Sequence, residues 1–440
     1  MTVIKRKHKH INKRQLSQQR AESKNNYIKQ VEKFCILAGC YDAFRIIPKT
    51  ELEKIYKLRS LPVKILPAEG NEVPKDIMRK FRKSMNELMP MVNVGITDKD
   101  VKINLNTYFT VASIFFEYIN DLKGDEYRDA EFVKQLKEKF KSYKDTFNTA
   151  YRKLMMCLDV ICIDTGDLLK RLYWTTHSFK LAHGDTCGIE NIISVHSSLP
   201  ETIHDNKDSI DRQLLRVSCG FADKGILSVD ADRGKLKVAN EVNAPPIKVF
   251  IQAHALHRMK ERLDSLNPFW QHLELIRAVR EMKIRHRIDG NFFIEYRLDS
   301  ITVGYLVADL KDENLIIRTF LLITQNGTPE GDKFSELCGL DKIDKSFLRM
   351  DRLSTFISTD MCSNPRLKEI FQFSGCRNLL DLYDNQKIKS KCSSQSKKSN
   401  ALEIVKYLML DRNNSKGDEK YFKKNYKFEI DRNGSVAAPW

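Results

Sequence analysis

No run of about eighteen apolar residues occurs in this 440-residue chain, so a membrane-spanning helix is not expected. The basic start leads into polar "QLSQQRAESKNNY" rather than an apolar stretch, which excludes a secretory signal pattern. Cysteine is dilute, ten in all, too few for a disulfide scaffold. These absences point to a reduced, cytoplasmic protein. Metal sites are equally poorly represented. Cys35/Cys40 and Cys157/Cys162 share a C-x4-C spacing, but "FCILAGC" and "CLDVIC" are apolar, and such thiols pack as small hydrophobes. His183 and Cys187 in "HGDTCG" are half of a ligand set, and no second half stands at ligand spacing. No metal or cofactor is therefore expected, and no internal repeat is found.

What is present is globular: 42% hydrophobic and 30% charged residues, over a length that allows two or three domains with cores. The net charge of +17 is unevenly spread. Residues 1–24 hold eight Lys/Arg against Glu22 alone, and residues 387–400 hold five Lys and no acid. Such runs are either arms for a polyanion or solvated tails.

Hydrophobic spacing divides the chain and predicts an α+β protein. After the 1–24 tail, residues 25–180 show apolar residues three and four apart, in "YIKQVEKFCILAG" and "DIMRKFRKSMNELM" and on through "DLLKRLYWTTHSF", and predict a mainly helical domain. Residues 181–246 are a mixed β and connecting region with short strands in "IENIISVHSS", "RVSCGF" and "ILSVDADRGKLKVANEV", a turn at Asp232–Gly234, and a boundary at Pro245–Pro246. Residues 247–326 form a small domain: a strand in "IKVFIQ", a helix from His254 to Leu266, a second helix in "FWQHLELIRAVREMKI", then strands in "NFFIEYRL", "ITVGYLVADL" and "LIIRTFLLIT" joined by hairpin-length turns. "IRHRI" is a candidate fourth strand. Residues 327–386 read as helical, "SFLRMDRLSTFI" included. Residues 387–400 read as a basic linker and 401–440 as a C-terminal segment with one helix-like run.

The chemistry concentrates in "HALHRMKER". Residues four apart stack on one helix face, so His254, Arg258 and Arg262 align, with His257 and Glu261 alongside. Guanidiniums hold phosphodiesters and neutralise charge at phosphorus, and an imidazole exchanges a proton near neutral pH. Such groups suffice to cleave RNA through its own 2′-hydroxyl. The same residues also suit an ordinary solvated face, with Glu261 paired to Arg258 or Lys260. Arg285 and Arg287 alternate on one face of "IRHRI", extending a basic groove or facing solvent. Tyr296 and Tyr305 either stack on bases or fill the core. A tyrosine recombinase is excluded because its His-x-x-Arg would need a histidine at Ala255.

"HALHRMKER", followed by a second helix and an antiparallel meander ending in "LLIT", resembles the small bacterial ribonuclease toxins of the RelE/BECR class. The match is to the branch with His-x-x-x-Arg-x-x-x-Arg on its first helix and Ile-Thr on its last strand. The resemblance covers about residues 247–326, under a fifth of the chain. It departs from that pattern at His257, where the family often has an acidic or polar residue. It implies a metal-independent endoribonuclease acting in a toxin system or phage defence, with RNA as substrate and an antitoxin or regulatory protein as partner. It further implies His254 as general acid/base, Arg258 as principal phosphate contact, Arg262 as a second one, and Thr324 as a hydrogen-bonding positioner. The alternative is a basic protein that contacts phosphates without cleaving them.

Overall fold

The three-and-four spacing of the N-terminal region produces helices whose apolar stripes share one core. The computed structural model describes residues 13–96, 101–121, 130–139, 143–182, 188–207, 210–237 and 245–392. Residues 1–12 of the basic start, His183 and Cys187, residues 393–400 of the basic linker and the 401–440 segment lie outside the described residues. The described part is α+β, and it divides into two compact units. One takes the residues up to Ala253 with Leu275–Met282 and Asp309–Ile317; the other takes His254–Glu274, Lys283–Ala308 and the residues from Arg318.

The first unit opens with α1 (Lys13–Leu37), so residues 13–24 of the basic run are helical. Then follow α2 (Tyr41–Ile46), α3 (Lys49–Leu58), strand β1 (Lys64–Pro67) and α4 (Lys75–Met91), which buries Met78, Phe81, Met85 and Met89 as its spacing requires. A small hairpin of β2 (Asn93–Gly95) and β3 (Lys102–Asn104) leads into α5 (Leu105–Thr107), a π-turn and α6 (Ser113–Asp121), then α7 (Ala130–Lys139) and α8 (Tyr143–Thr165). Cys35, Cys40, Cys157 and Cys162 are all buried in this helical core, as the apolar setting of each pair predicts.

"DLLKRLYWTTHSF" departs from its helical reading. The chain turns at Asp167–Lys170 and continues as β4 (Leu172–Ala182), paired along its length with β5 (Gly188–Ser198), which also takes β1 in parallel. Tyr173, Trp174, Thr175 and Thr176 suit a strand, and a partner distant in sequence resolves an ambiguous period.

The 181–246 stretch is more than a connector. β6 (Thr202–Lys207) and β7 (Ile210–Arg216) pair antiparallel, and a hairpin of β8 (Ser218–Phe221) and β9 (Gly225–Ser228) precedes β10 (Asp230–Ala231). The Asp232–Gly234 turn becomes the short α9 (Arg233–Leu236), capped by Asp232. Across Pro245–Pro246, β11 (Ile247–Gln252) pairs with β7 and β10 on one side and, in parallel, with the first half of β15 (Asn314–Leu322) on the other. The prolines therefore interrupt the chain but not the sheet. Buried Arg216 fastens this junction through the carbonyls of Val229 and Val249 and the carboxylate of Asp230.

The second unit holds α10 (Ala253–Arg262) from His254 onward, followed by α11 (Pro268–Glu281) as far as Glu274. Its strands β12 (Ile284–Ile288), β13 (Asn291–Leu298) and β14 (Ile301–Lys311) are sheet neighbours in that order, with β15 next to β14. Asp289-Gly290 takes the left-handed φ values of a tight hairpin turn. Beyond the sheet come α12 (Pro329–Cys338), α13 (Lys342–Phe347), α14 (Leu353–Ser358), α15 (Pro365–Ser374), a 3-10 turn (Arg377–Leu382) and α16 (Gln386–Ser390). "SFLRMDRLSTFI" is thus two helices with a turn at 348–352. α16 occupies the start of the predicted basic linker.

Candidate active site

α10 buries Ala255, Leu256, Met259 and Arg262, and leaves His254 and His257 exposed with Arg258 half-buried. The row His254, Arg258, Arg262 is therefore not one face. At 3.6 residues per turn, each step of four residues advances about 40° around the axis. Over eight residues the row rotates from solvent into the buried stripe. The helix ends at Arg262, where buried Gln271 donates to the carbonyls of Leu263 and Leu266.

On the exposed side, Arg258 Nε lies 3.4 Å from His254 Nε2. Desolvation, followed by the positive charges of Arg258, Arg262 and His257, holds the His254 imidazole below its ordinary value. The ring is thus neutral at neutral pH and able to accept a proton. Arg258 Nη1 also donates to Glu261 Oε2 at 2.8 Å, the pairing anticipated from the sequence.

The other partner of Glu261 comes from about ninety residues downstream. Arg352, at the N-terminal edge of α14, donates through Nη2 to Glu261 Oε1 at 2.5 Å and through Nη1 to the Glu261 carbonyl. Partial burial raises the Glu261 carboxyl, but Arg258 and Arg352 together outweigh it and hold the carboxyl below its ordinary range. A second tie lies alongside. Asp264 accepts from the Ser354 amide at 3.0 Å, the Ser354 hydroxyl at 2.7 Å and Arg349 Nη2 at 2.9 Å, which caps the start of α14.

Arg262 is 8% exposed and donates to the carbonyl of Phe320 on β15. Desolvation, then the charge of Arg258, lowers it to about 10, so it stays cationic at neutral pH, with Asp351 as the leading favourable charge. Its guanidinium braces α10 against a strand and lies away from the solvent face that would carry a phosphate. Thr324 is fully buried. Its hydroxyl donates to the Met350 carbonyl at 2.6 Å, and its own carbonyl accepts from buried Lys345, which also reaches Gly331. Thr324 thus acts on the site only through the turn that delivers Asp351 and Arg352.

Arg285 and Arg287 are exposed on β12, with Arg287 over the Phe292 ring at 4.8 Å. Tyr296 and Tyr305 belong to the core rather than a stacking surface. Their hydroxyls donate to the Gln271 carbonyl at 3.1 Å and to Glu330 Oε1 at 2.8 Å. His286 sits 3.3 Å from the same Glu330 oxygen, a polar cluster that no spacing in the sequence suggests.

Arg352 and Asp351 were equally hidden from sequence reasoning, because "RMDR" sits inside an apparently continuous helical pattern. Among the described residues, no three His, Cys, Asp or Glu side chains converge as a metal set. No helix among them is long and apolar enough to cross a membrane. No family model, curated protein or solved structure matches the chain.

Proposed function

We propose that the exposed face of α10 cleaves RNA by activating the 2′-hydroxyl, as a toxin-like endoribonuclease. The observation that carries the reading is the exposed His254 imidazole set 3.4 Å from the Arg258 guanidinium on α10, where desolvation and neighbouring cations favour its uncharged form. His254 takes the proton of the 2′-hydroxyl as its oxygen attacks the adjacent phosphorus. The bond to the 5′-oxygen breaks, and that leaving oxygen takes a proton from water, with exposed His257 alongside on the same helix. Arg258 binds the non-bridging oxygens and offsets the charge that gathers there. The products are a 2′,3′-cyclic phosphate and a 5′-hydroxyl. Arg262 and Thr324 act as positioning residues. A toxin or phage-defence setting, with a restraining antitoxin or regulatory protein, follows the resemblance of residues 247–326.

The test is purified full-length protein with end-labelled RNA in EDTA, beside His254→Ala. Positioned acid–base groups contribute about 10²–10⁴-fold, and His254→Ala should lose a factor in that range while staying folded. Equal cleavage by both proteins would remove His254 from the mechanism.

A second reading, phosphate contact without cleavage, is favoured by exposed Arg285 and Arg287 on one face of β12. It predicts RNA affinity that falls steeply with salt and no cyclic-phosphate product.

A further inference from the structure

Two guanidiniums from distant parts of the second unit converge on one carboxylate. Arg258 meets Glu261 Oε2 at 2.8 Å and Arg352 meets Glu261 Oε1 at 2.5 Å, one guanidinium to each oxygen. The Arg258 and Glu261 side chains are 41% and 39% exposed, so the bridge is open to solvent rather than sealed in the core. A phosphodiester presents the same recognition pattern as a carboxylate: two oxygens sharing one negative charge, each able to accept from a guanidinium.

We infer that Arg258 and Arg352 form the phosphodiester seat of this protein, and that Glu261 is the resident anion an incoming RNA phosphate displaces. This rests on the reading of α10 as an RNA site and adds Arg352 as a substrate-binding residue. It replaces Arg262, whose guanidinium is committed to the Phe320 carbonyl.

Displacement exchanges one negative charge for another, so it creates no unpaired buried charge. Arg352 keeps its place when the carboxylate swings out, because Nη1 also holds the Glu261 main-chain carbonyl. Thr324 and Lys345 fix the turn from below, through Met350 and the Thr324 carbonyl. A phosphate on Arg258 is beside His254, whose Nε2 lies 3.4 Å from Arg258 Nε. The seat is therefore adjacent to the proton acceptor it would serve.

Glu261→Gln distinguishes this role from a structural one, because damage to the fold cannot tighten binding. The assay is fluorescence anisotropy of the full-length protein with a labelled 2′-O-methyl RNA oligonucleotide, which lacks the attacking hydroxyl, at 0.1 M salt. Glu261→Gln should bind about two- to fivefold tighter, the range in which exposed ion pairs compete. Arg352→Ala should bind roughly tenfold or more weakly, as loss of a charge-assisted hydrogen bond predicts, and Arg352→Lys should fall between it and wild type. Lys260→Ala, an exposed cation on the same helix, measures the generic charge effect. The seat is overturned if Glu261→Gln binds no tighter than wild type, or if Arg352→Ala weakens binding no more than Lys260→Ala. It is equally overturned if wild type and Glu261→Gln both fail to bind the probe. Cleavage of the matching unmodified RNA separates the two readings. A tighter Glu261→Gln without cleavage by any form keeps the seat and removes the ribonuclease; His254-dependent cleavage with unchanged Glu261→Gln binding does the reverse.

Discussion

Thr324→Val removes one hydroxyl from the base of the candidate site and nearly preserves volume. Thr324 and Met350 are both fully buried, and the Thr324 hydroxyl donates to the Met350 carbonyl at 2.6 Å. Water cannot replace the donor in such a place. A neutral hydrogen bond is worth about 0.5–1.5 kcal/mol net, and stranding its buried partner raises the cost to about 1–3 kcal/mol. Thr324→Ser keeps the donor and deletes a methyl, a loss of about 0.8 kcal/mol by transfer alone and somewhat more for the cavity. The expected order of stability is therefore wild type, then Ser, then Val. The assay is urea unfolding in a Trp174→Phe, Trp440→Phe background, so that Trp270, in the same unit as Thr324, is the remaining tryptophan. The slope should be unchanged and the midpoint shifted. Because Arg352 lies two residues past Met350, Thr324→Val should also weaken RNA binding more than it slows turnover. A Val variant at least as stable as Ser would show that the methyl, not the hydrogen bond, holds the turn.

The other predictions concern protonation and close packing. Since desolvation and neighbouring cations lower the His254 pKa, the unfolded chain binds that proton first as pH falls through the ordinary histidine value. The His254 contribution to stability is complete above about 6.5 and is lost between that value and the lower folded one. Cleavage should accordingly rise with pH on a limb centred below 6.5, and Arg258→Gln should move the His254 NMR titration midpoint upward; a midpoint unmoved by Arg258→Gln would contradict the electrostatic account. A Cβ at Gly304 would stand 2.3 Å from the Leu321 carbonyl and 2.9 Å from the Phe320 ring. Backbone cannot yield there, so Gly304→Ala should abolish soluble, cooperatively folding protein, and a variant melting like wild type would show that β14 shifts freely.

Local pattern alone determined most of the elements around the site. Residues 291–298 form an apolar run rich in aromatic side chains between hairpin-length turns, and make β13 with the expected bounds. The apolar positions of α10 lie where their spacing puts them, and the apolar surroundings of Cys35, Cys40, Cys157 and Cys162 announced their burial. Where a segment carried no single period, only its partner decided: Leu172–Ala182 is a strand because β5 lies beside it. The same holds for the candidate site. Spacing identified His254, Arg258 and Glu261 because they are neighbours on one helix. It overstated Arg262, since a row four residues apart drifts around a helix of 3.6 residues per turn. It did not reveal Arg352, whose meeting with Glu261 spans about ninety residues and depends on the Thr324, Lys345 and Asp264 hydrogen bonds that place the 348–352 turn. Short-range periodicity specifies which side chains an element displays, whereas convergence of charges from separate elements is a property of the packed chain.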